Sequence, residues 1–215
     1  KLKSFCDKNK IDFTSTPFSK KEVDFLVKKL KPPFIKIASM DLNNYPFLEY
    51  VAKKNKPILI STGMASEEEI ELAVTTVRET SDAPLLLFHC ISSYPAITSE
   101  SNLNNLNWMK EKYGVQIGLS DHTTNNIAAL TAIGMGATAV EKHFKLDDNE
   151  CGPDSSFSLT PHQLKNLVDE CSQAWIAKGN EGLRRSDSEK QNMVFRRSLY
   201  FVNNLKEGQI IQEND

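Results

Sequence analysis

The feature that most constrains the fold of this chain is a regular recurrence of short, apolar, β-branched runs. They are IDFTSTPF from Ile11, FIKIAS from Phe34, PILIST from Pro57, PLLLFHC from Pro84, VQIGLS from Val115 and TAVEKHF from Thr138. Their starts lie 23, 23, 27, 31 and 23 residues apart, which suits one strand, one helix and two short loops. The spacing therefore predicts an α/β protein built on a parallel sheet.

Helix-start signals lie between these runs. Ser19 with Glu22 forms a capping-box pattern, and Ser66 precedes three acidic residues that would lie in the first turn of a helix. Thr160, followed by Pro161 and Gln163, opens a further amphipathic segment. The sequence thus predicts that helices alternate with the strands.

Two α/β architectures compete for this pattern. An open doubly wound sheet usually has a glycine-rich phosphate turn after its first strand, and neither G-x-G-x-x-G nor G-x-x-x-x-G-K-[ST] occurs. A (β/α)₈ barrel places polar residues at the carboxyl ends of successive strands, as these runs do. We therefore predict a TIM (β/α)₈ barrel with about six of its eight βα units present, in a chain that begins within a helix.

The pattern changes near the C-terminus. We expect a partial barrel, the catalytic domain, over 1–180 and a polar, charged linker over 181–198. Residues 199–215, with the sequence LYFVNNLKEGQII at their start, predict strand, turn and strand, the beginning of a small β-rich domain.

Composition excludes some classes of function. The formal charge is −2, so no excess of positive charge favours nucleic acid or an anionic membrane. No apolar run approaches the roughly 18 residues of a membrane span. The four cysteines form no C-x-x-C pair, which favours a reduced, cytoplasmic chain without a metal-thiolate site.

Histidines follow two successive predicted strands. Alternation along a strand places Ser120 and His122 on one face, and Glu141 and His143 on one face of the next strand. Two imidazoles there could bind one divalent metal, with open positions for water or substrate. The alternative is that each histidine is a hydrogen-bonded interior residue, and spacing alone leaves both open.

Other candidates also have two interpretations. Lys36 interrupts an apolar strand, where it could bind a phosphate or carboxylate, or snorkel to solvent from an edge strand. Asp154 is either a turn residue or part of a long loop that touches substrate. Tyr94 precedes a proline, which is typical of packing, but it also follows a strand end.

Taken together, the motifs resemble those of a known family. FTSTPFS, KIAS, ISTGMAS, HCISSYPA, GLSDHT, EKHF and GPDSSFSL occur in this order, which is similar to the sialic acid synthase family of phosphoenolpyruvate-dependent nonulosonic acid synthases. The tail FRRSLYFVNNLKEGQII resembles the family's junction with an antifreeze-protein-like (SAF-type) domain.

The resemblance implies a transferase that condenses C3 of phosphoenolpyruvate with the aldehyde of an N-acetylated hexosamine and releases phosphate. It also implies one divalent metal, commonly Mn²⁺ with Mg²⁺ or Co²⁺ as alternatives, and a homodimer whose small domain covers the partner's site. This sequence does not match the family's first two strands, which carry a catalytic acid. It also does not match the completed small domain. We therefore expect an incomplete enzyme that is inactive alone.

The family's roles transfer to individual positions by motif. His122 and His143 resemble the metal ligands and, with Asp41, the catalytic set. The residues that resemble phosphoenolpyruvate contacts are Thr16, Lys36, Ser39 and Ser120. The residues that resemble sugar contacts are Asp41, Tyr94 and Asp154. Asp41 stands where many members have Glu, and Ser92, also placed in the substrate site, stands where some have Asn.

GPDSSFSL and FRRSLY are most similar to the branch that makes pseudaminic acid from a 2,4-diacetamido-trideoxy hexose. The alternatives are the N-acetylneuraminate and legionaminate branches. A different metal-dependent barrel aldolase and a non-catalytic sugar-binding barrel are more distant alternatives.

Overall fold

A computed structural model of the chain describes residues 1–180 and 182–215. The chain divides into two compact units, Lys1–Gly179 and Asn180–Asp215. All the strands and the candidate site residues lie in the first unit.

The first unit is built on a five-stranded parallel sheet in the order β1-β2-β3-β4-β5. The strands are β1 Ile35–Ile37, β2 Ile58–Ser61, β3 Leu85–Cys90, β4 Gln116–Asp121 and β5 Ala139–Lys142. Five of the six predicted strands are therefore confirmed, as is the parallel α/β class. Strands in chain order, without a reversal, are typical of a barrel segment rather than a doubly wound sheet.

The prediction of a strand from Ile11 is wrong. In the described chain, residues 11–18 have no regular secondary structure, and the Thr14 hydroxyl donates to the Phe34 carbonyl oxygen at 3.2 Å. Pro17 has no N–H with which to donate a backbone hydrogen bond to a neighbouring strand. The single side-chain hydrogen bond of Thr14 does not pair the segment with β1 as a strand. β1 is therefore an edge of the sheet.

Helices precede, connect and follow the strands. They are α1 Leu2–Lys8, α2 Lys20–Phe25, α3 Tyr45–Ala52, α4 Glu67–Thr80, α5 Asn104–Tyr113, α6 Ile127–Gly134 and α7 Pro161–Lys178. A π-helical turn, Leu26–Leu30, continues α2, and 3₁₀ turns span Ser39–Asp41 and Thr98–Glu100.

The predicted helix starts agree with the structure. Ser66 and Thr160 each form a complete capping box, with Glu69 and Gln163 respectively. Ser19 caps α2 through the Glu22 N–H, but the Glu22 carboxylate accepts from Phe18 N–H instead of closing the box.

The two faces of the sheet differ in chemistry. Side chains that point toward the helices form an apolar core, including Ile35, Ile58, Leu87 and Ile117, all at most 1% exposed. Because side chains alternate along a strand, Lys36, Ser61, Ser120 and Glu141 lie on the opposite face. The polar groups therefore gather away from the helical core.

The second unit contains a short helix, α8 Asp187–Lys190, and a 3₁₀ segment, Gln191–Phe195. The prediction of strands in 199–215 is wrong, since the structure assigns no strand to these residues. An isolated pair of strands is marginal in water. Among the described residues, none of the helices has the length and apolar character needed to cross a bilayer.

Candidate active site at the carboxyl ends of the strands

A lysine, two serines and a glutamate form one hydrogen-bonded cluster on the polar face of the sheet. The Lys36 ammonium donates to the Ser61 hydroxyl at 2.7 Å and lies 3.3 Å from a Glu141 carboxylate oxygen. The Ser120 hydroxyl donates to the other carboxylate oxygen of Glu141 at 2.7 Å. Lys36 is only 8% exposed, so the alternative in which it snorkels to solvent is wrong.

The two histidines lie next to each other, each directly after a strand. His122 follows β4 and His143 follows β5, and their ring centroids are 5.3 Å apart. His122 Nδ1 lies 2.9 Å from the Ile91 carbonyl oxygen, and His143 Nδ1 lies 3.2 Å from an Asp154 carboxylate oxygen. Each contact favours the tautomer in which Nδ1 carries the proton and Nε2 has the lone pair that can bind a metal.

The donor set fits a divalent metal held at the histidine pair. A metal-binding histidine commonly donates its other ring N–H to a carbonyl or carboxylate oxygen, which is the arrangement at both rings. Among the described residues there is no group of three or more His, Cys, Asp or Glu side chains that could hold an ion. The pair would therefore supply two ligands and leave the remaining positions to water or substrate.

Aromatic rings border the histidine pair. The Tyr94 ring centroid is 4.3 Å from that of His122, and the Phe157 centroid is 5.0 Å from that of His143. Phe157 is buried, whereas Tyr94 is 55% exposed. Tyr94 therefore remains accessible to a ligand beside the histidines.

Cys90 is a buried thiol beside His122. Burial raises the pKa of this thiol, but hydrogen bonding and charge from His122, with two serine hydroxyls, bring its pKa below the usual range. Burial lowers the pKa of His122, but the hydrogen bonds to Cys90 and the Ile91 carbonyl raise it above its ordinary value. A proton on His122 would compete with a cation for this ring.

Gly63 lies in a narrow gap between two of the predicted serines. Its N–H donates to the Ser39 hydroxyl at 3.1 Å, and a Cβ added there would be 2.2 Å from the Ser92 hydroxyl oxygen. The same Cβ would be 3.1 Å from Cys90 Sγ. The Gly63 backbone and the hydroxyl groups of Ser39 and Ser92 thus lie close together at the end of β2, beside Cys90.

Two predicted residues are not joined to this cluster. Thr16 is half-buried on the irregular segment before α2, and no hydrogen bond from its hydroxyl occurs in the part of the chain that the structure describes. Asp41 ends the 3₁₀ turn after β1, and its buried Oδ2 has no hydrogen-bond partner among the described residues. Burial raises the pKa of the Asp41 carboxyl.

Sequence reasoning missed several residues of the cluster. Ser61 was not among the predicted site residues, and Glu141 was noted only as sharing a face with His143, yet alternation from Ile60 and Val140 places both on the polar face. Cys90 lies beside Ser120 because the two are register partners on β3 and β4. Phe157, which reaches the histidines from the loop before α7, had no signal in the sequence.

The chain is similar to several known proteins. The sequence matches the NeuB family over residues 1–182. It is 38% identical over 201 residues to a pseudaminic acid synthase of Campylobacter jejuni, covering 94% of this chain and 58% of that protein. It is also 38% identical over 208 residues to an N,N'-diacetyllegionaminic acid synthase of the same species, covering 95% of this chain and 62% of that protein.

A solved structure is also similar. The crystal structure of an N-acetylneuraminic acid synthetase from Leptospira borgpetersenii, in complex with citrate, matches with a TM-score of 0.85 and 35% identity. The match covers 92% of this chain and 69% of that one. The chain thus spans about three-fifths of the length of the curated relatives it matches.

Fold and site together define an α/β protein with a parallel sheet and a histidine, lysine and hydroxyl cluster at the carboxyl ends of its strands. The chain belongs to the NeuB family.

Proposed function

We propose that this chain forms most of the active site of a nonulosonic acid synthase, which condenses phosphoenolpyruvate with an N-acetylated hexosamine and releases phosphate. The observation that carries the proposal is the neighbouring pair His122 and His143, above the Lys36 cluster, in a chain 38% identical to pseudaminic acid synthase. On this proposal the five strands belong to an eight-stranded barrel, with residues 1–180 catalytic, 181–198 a linker and 199–215 the start of an antifreeze-like domain.

Lys36 and the serines bind the anionic substrate. The buried ammonium is a point charge suited to a phosphate or carboxylate, and the hydroxyls of Ser39, Ser61 and Ser120 supply hydrogen bonds. Glu141 neutralises Lys36 in the absence of substrate and holds Ser120 in place. Thr16 completes this set on the strength of the resemblance, which also places Ser92 in the substrate site.

His122 and His143 would hold a divalent cation, Mn²⁺ on the resemblance, and that cation would supply Lewis-acid polarisation of the sugar aldehyde. The Ile91 carbonyl and the Asp154 carboxylate orient the two rings for this role. Tyr94, exposed beside His122, packs against the sugar, and Asp154 and Asp41 accept hydrogen bonds from its polar groups.

The sugar is the 2,4-diacetamido-trideoxy hexose that leads to pseudaminic acid. The second candidate is the legionaminic acid precursor, because identity to both kinds of synthase is 38%. The proposal places the enzyme in the cytoplasm as a homodimer that binds neither nucleic acid nor membrane.

Phosphate release tests the proposal directly. The whole protein is incubated with phosphoenolpyruvate, Mn²⁺ and, separately, the pseudaminic precursor, the legionaminic precursor or N-acetylmannosamine. We expect the fastest release with the pseudaminic precursor and none with His122→Gln. Faster turnover with another sugar reassigns the branch, and no release with any hexosamine contradicts the proposed activity.

A further inference from the structure

A buried ion pair lies directly behind the two histidines, on the opposite face of the sheet. The Lys142 ammonium is 2.7 Å from an Asp121 carboxylate oxygen, and each side chain is 2% exposed. Asp121 and Lys142 are register partners on β4 and β5. Each is the last residue of its strand, and each is followed at once by a histidine.

We propose that Asp121 and Lys142 form a brace that fixes the distance and orientation between His122 and His143. Both are positioning residues, since they lie behind the sheet and would touch no substrate. The inference rests on the proposed function only because that function supplies the metal that both histidines would bind.

The brace also holds the loop that carries His122. The second carboxylate oxygen of Asp121 accepts from the Thr123 N–H at 2.9 Å, and Lys142 donates to the Thr123 carbonyl at 2.5 Å. Lys142 also lies 3.4 Å from the Asn125 carbonyl. The residues after His122 are therefore tied to both strands.

An apolar pair could fill the position of Asp121 and Lys142 equally well. The preceding register pair on the same face is apolar, Leu119 with Val140. A buried ion pair contributes little net stability compared with apolar residues of similar volume, because desolvation offsets the attraction. What it supplies is a fixed geometry, since each charge must keep its partner and its hydrogen bonds.

The test uses the double variant Asp121→Leu/Lys142→Met, which replaces the brace by apolar side chains. Two measurements are made on the whole protein: the nuclear Overhauser effect between the ring protons of His122 and His143 without metal, and the titration of Co²⁺ alone, followed by its visible spectrum. We expect a folded variant that loses the ring–ring effect and binds Co²⁺ at least about tenfold more weakly, with an altered spectrum. Asp169→Asn, which breaks the exposed Lys165–Asp169 pair, is the control and should change neither.

A folded double variant that keeps the ring–ring effect overturns the brace. If the double variant does not fold, Asp121→Asn decides, because it removes the charge but keeps an oxygen for the Thr123 N–H. If the unsubstituted chain binds no Co²⁺, the metal assignment in the proposed function fails, and the ring–ring effect alone decides the brace.

Discussion

The Lys36 ammonium lies 3.3 Å from the Glu141 carboxylate, although the two residues belong to the two edge strands of the sheet. In a flat sheet, four strand spacings would separate these backbones by about 19 Å. The contact therefore requires the sheet to curl toward its polar face. That curl brings β1 and β5 together around the candidate site.

Lys36→Met in the whole protein should raise the KM for phosphoenolpyruvate about 10- to 100-fold, because a charge-assisted hydrogen bond contributes about 1.5–3 kcal/mol. The KM for the sugar should change far less. Steady-state kinetics with each substrate varied separately measure both. Lys165→Met, at an exposed lysine of α7, is the matched control, and equal effects on both substrates would contradict a dedicated anion role for Lys36.

Asp154→Asn should weaken Mn²⁺ binding about 10- to 100-fold, because the carboxylate orients the His143 ring. Electron paramagnetic resonance of free Mn²⁺ gives the affinity. Asp148→Asn, in the same loop and 84% exposed at its side chain, should have no effect. Unchanged affinity in Asp154→Asn would mean that the carboxylate serves the sugar alone.

Gly118→Ala should destabilise the fold by about 1–3 kcal/mol, as overpacking does. The added Cβ would lie 2.7 Å from the Phe88 ring and 2.8 Å from the Ala139 carbonyl oxygen. Gly134→Ala, where a Cβ meets nothing within 4 Å at the end of α6, should be neutral or stabilising by up to about 1 kcal/mol. Urea unfolding compares the two, and similar midpoints would refute the close packing of β4 on β3 and β5.

His89 should make stability depend on pH. Burial lowers the pKa of this imidazole, although its hydrogen bond with the Ser101 carbonyl partly opposes the change. As the pH falls, His89 of the unfolded chain takes up a proton near pH 6.5, whereas His89 of the folded chain does so only at a lower pH. The contribution to stability that is present above pH 6.5 is therefore lost as the pH falls toward the folded pKa. His89→Gln should reduce this loss between about pH 7 and pH 5. Exposed His162→Gln should not, and equal pH profiles for both variants would exclude the buried imidazole as the cause.

Asp41 should have a pH effect of the opposite sign. Its folded pKa is raised by burial, so stability is greatest below the unfolded pKa of about 3.9 and falls as pH rises toward the folded value. Asp41→Asn removes the buried charge and should raise the melting temperature at pH 7 more than at pH 4. Melting curves at the two pH values check this, and a melting temperature lowered at pH 7 would show that the carboxylate has a stabilising partner.

The sequence by itself determined the local structure of the first unit. Apolar runs at regular spacing predicted six strands, of which five form, and capping residues predicted the starts of α2, α4 and α7, because strand and helix periods are set by neighbouring residues. It also placed His122 and His143 at the ends of adjacent strands. It did not show that residues 11–18 lack a strand, since a strand also needs a hydrogen-bonding neighbour that no local pattern encodes.

The tertiary structure decided which of these residues meet. Lys36 and Glu141 are separated by 105 positions, and only the curl of the sheet makes them partners. Asp154 contacts His143 because the loop before α7 folds back, and Asp121 pairs with Lys142 because parallel register sets them side by side. Contacts between residues far apart in the chain depend on how strands and helices pack, so a local pattern predicts the elements and the packed sheet determines the site.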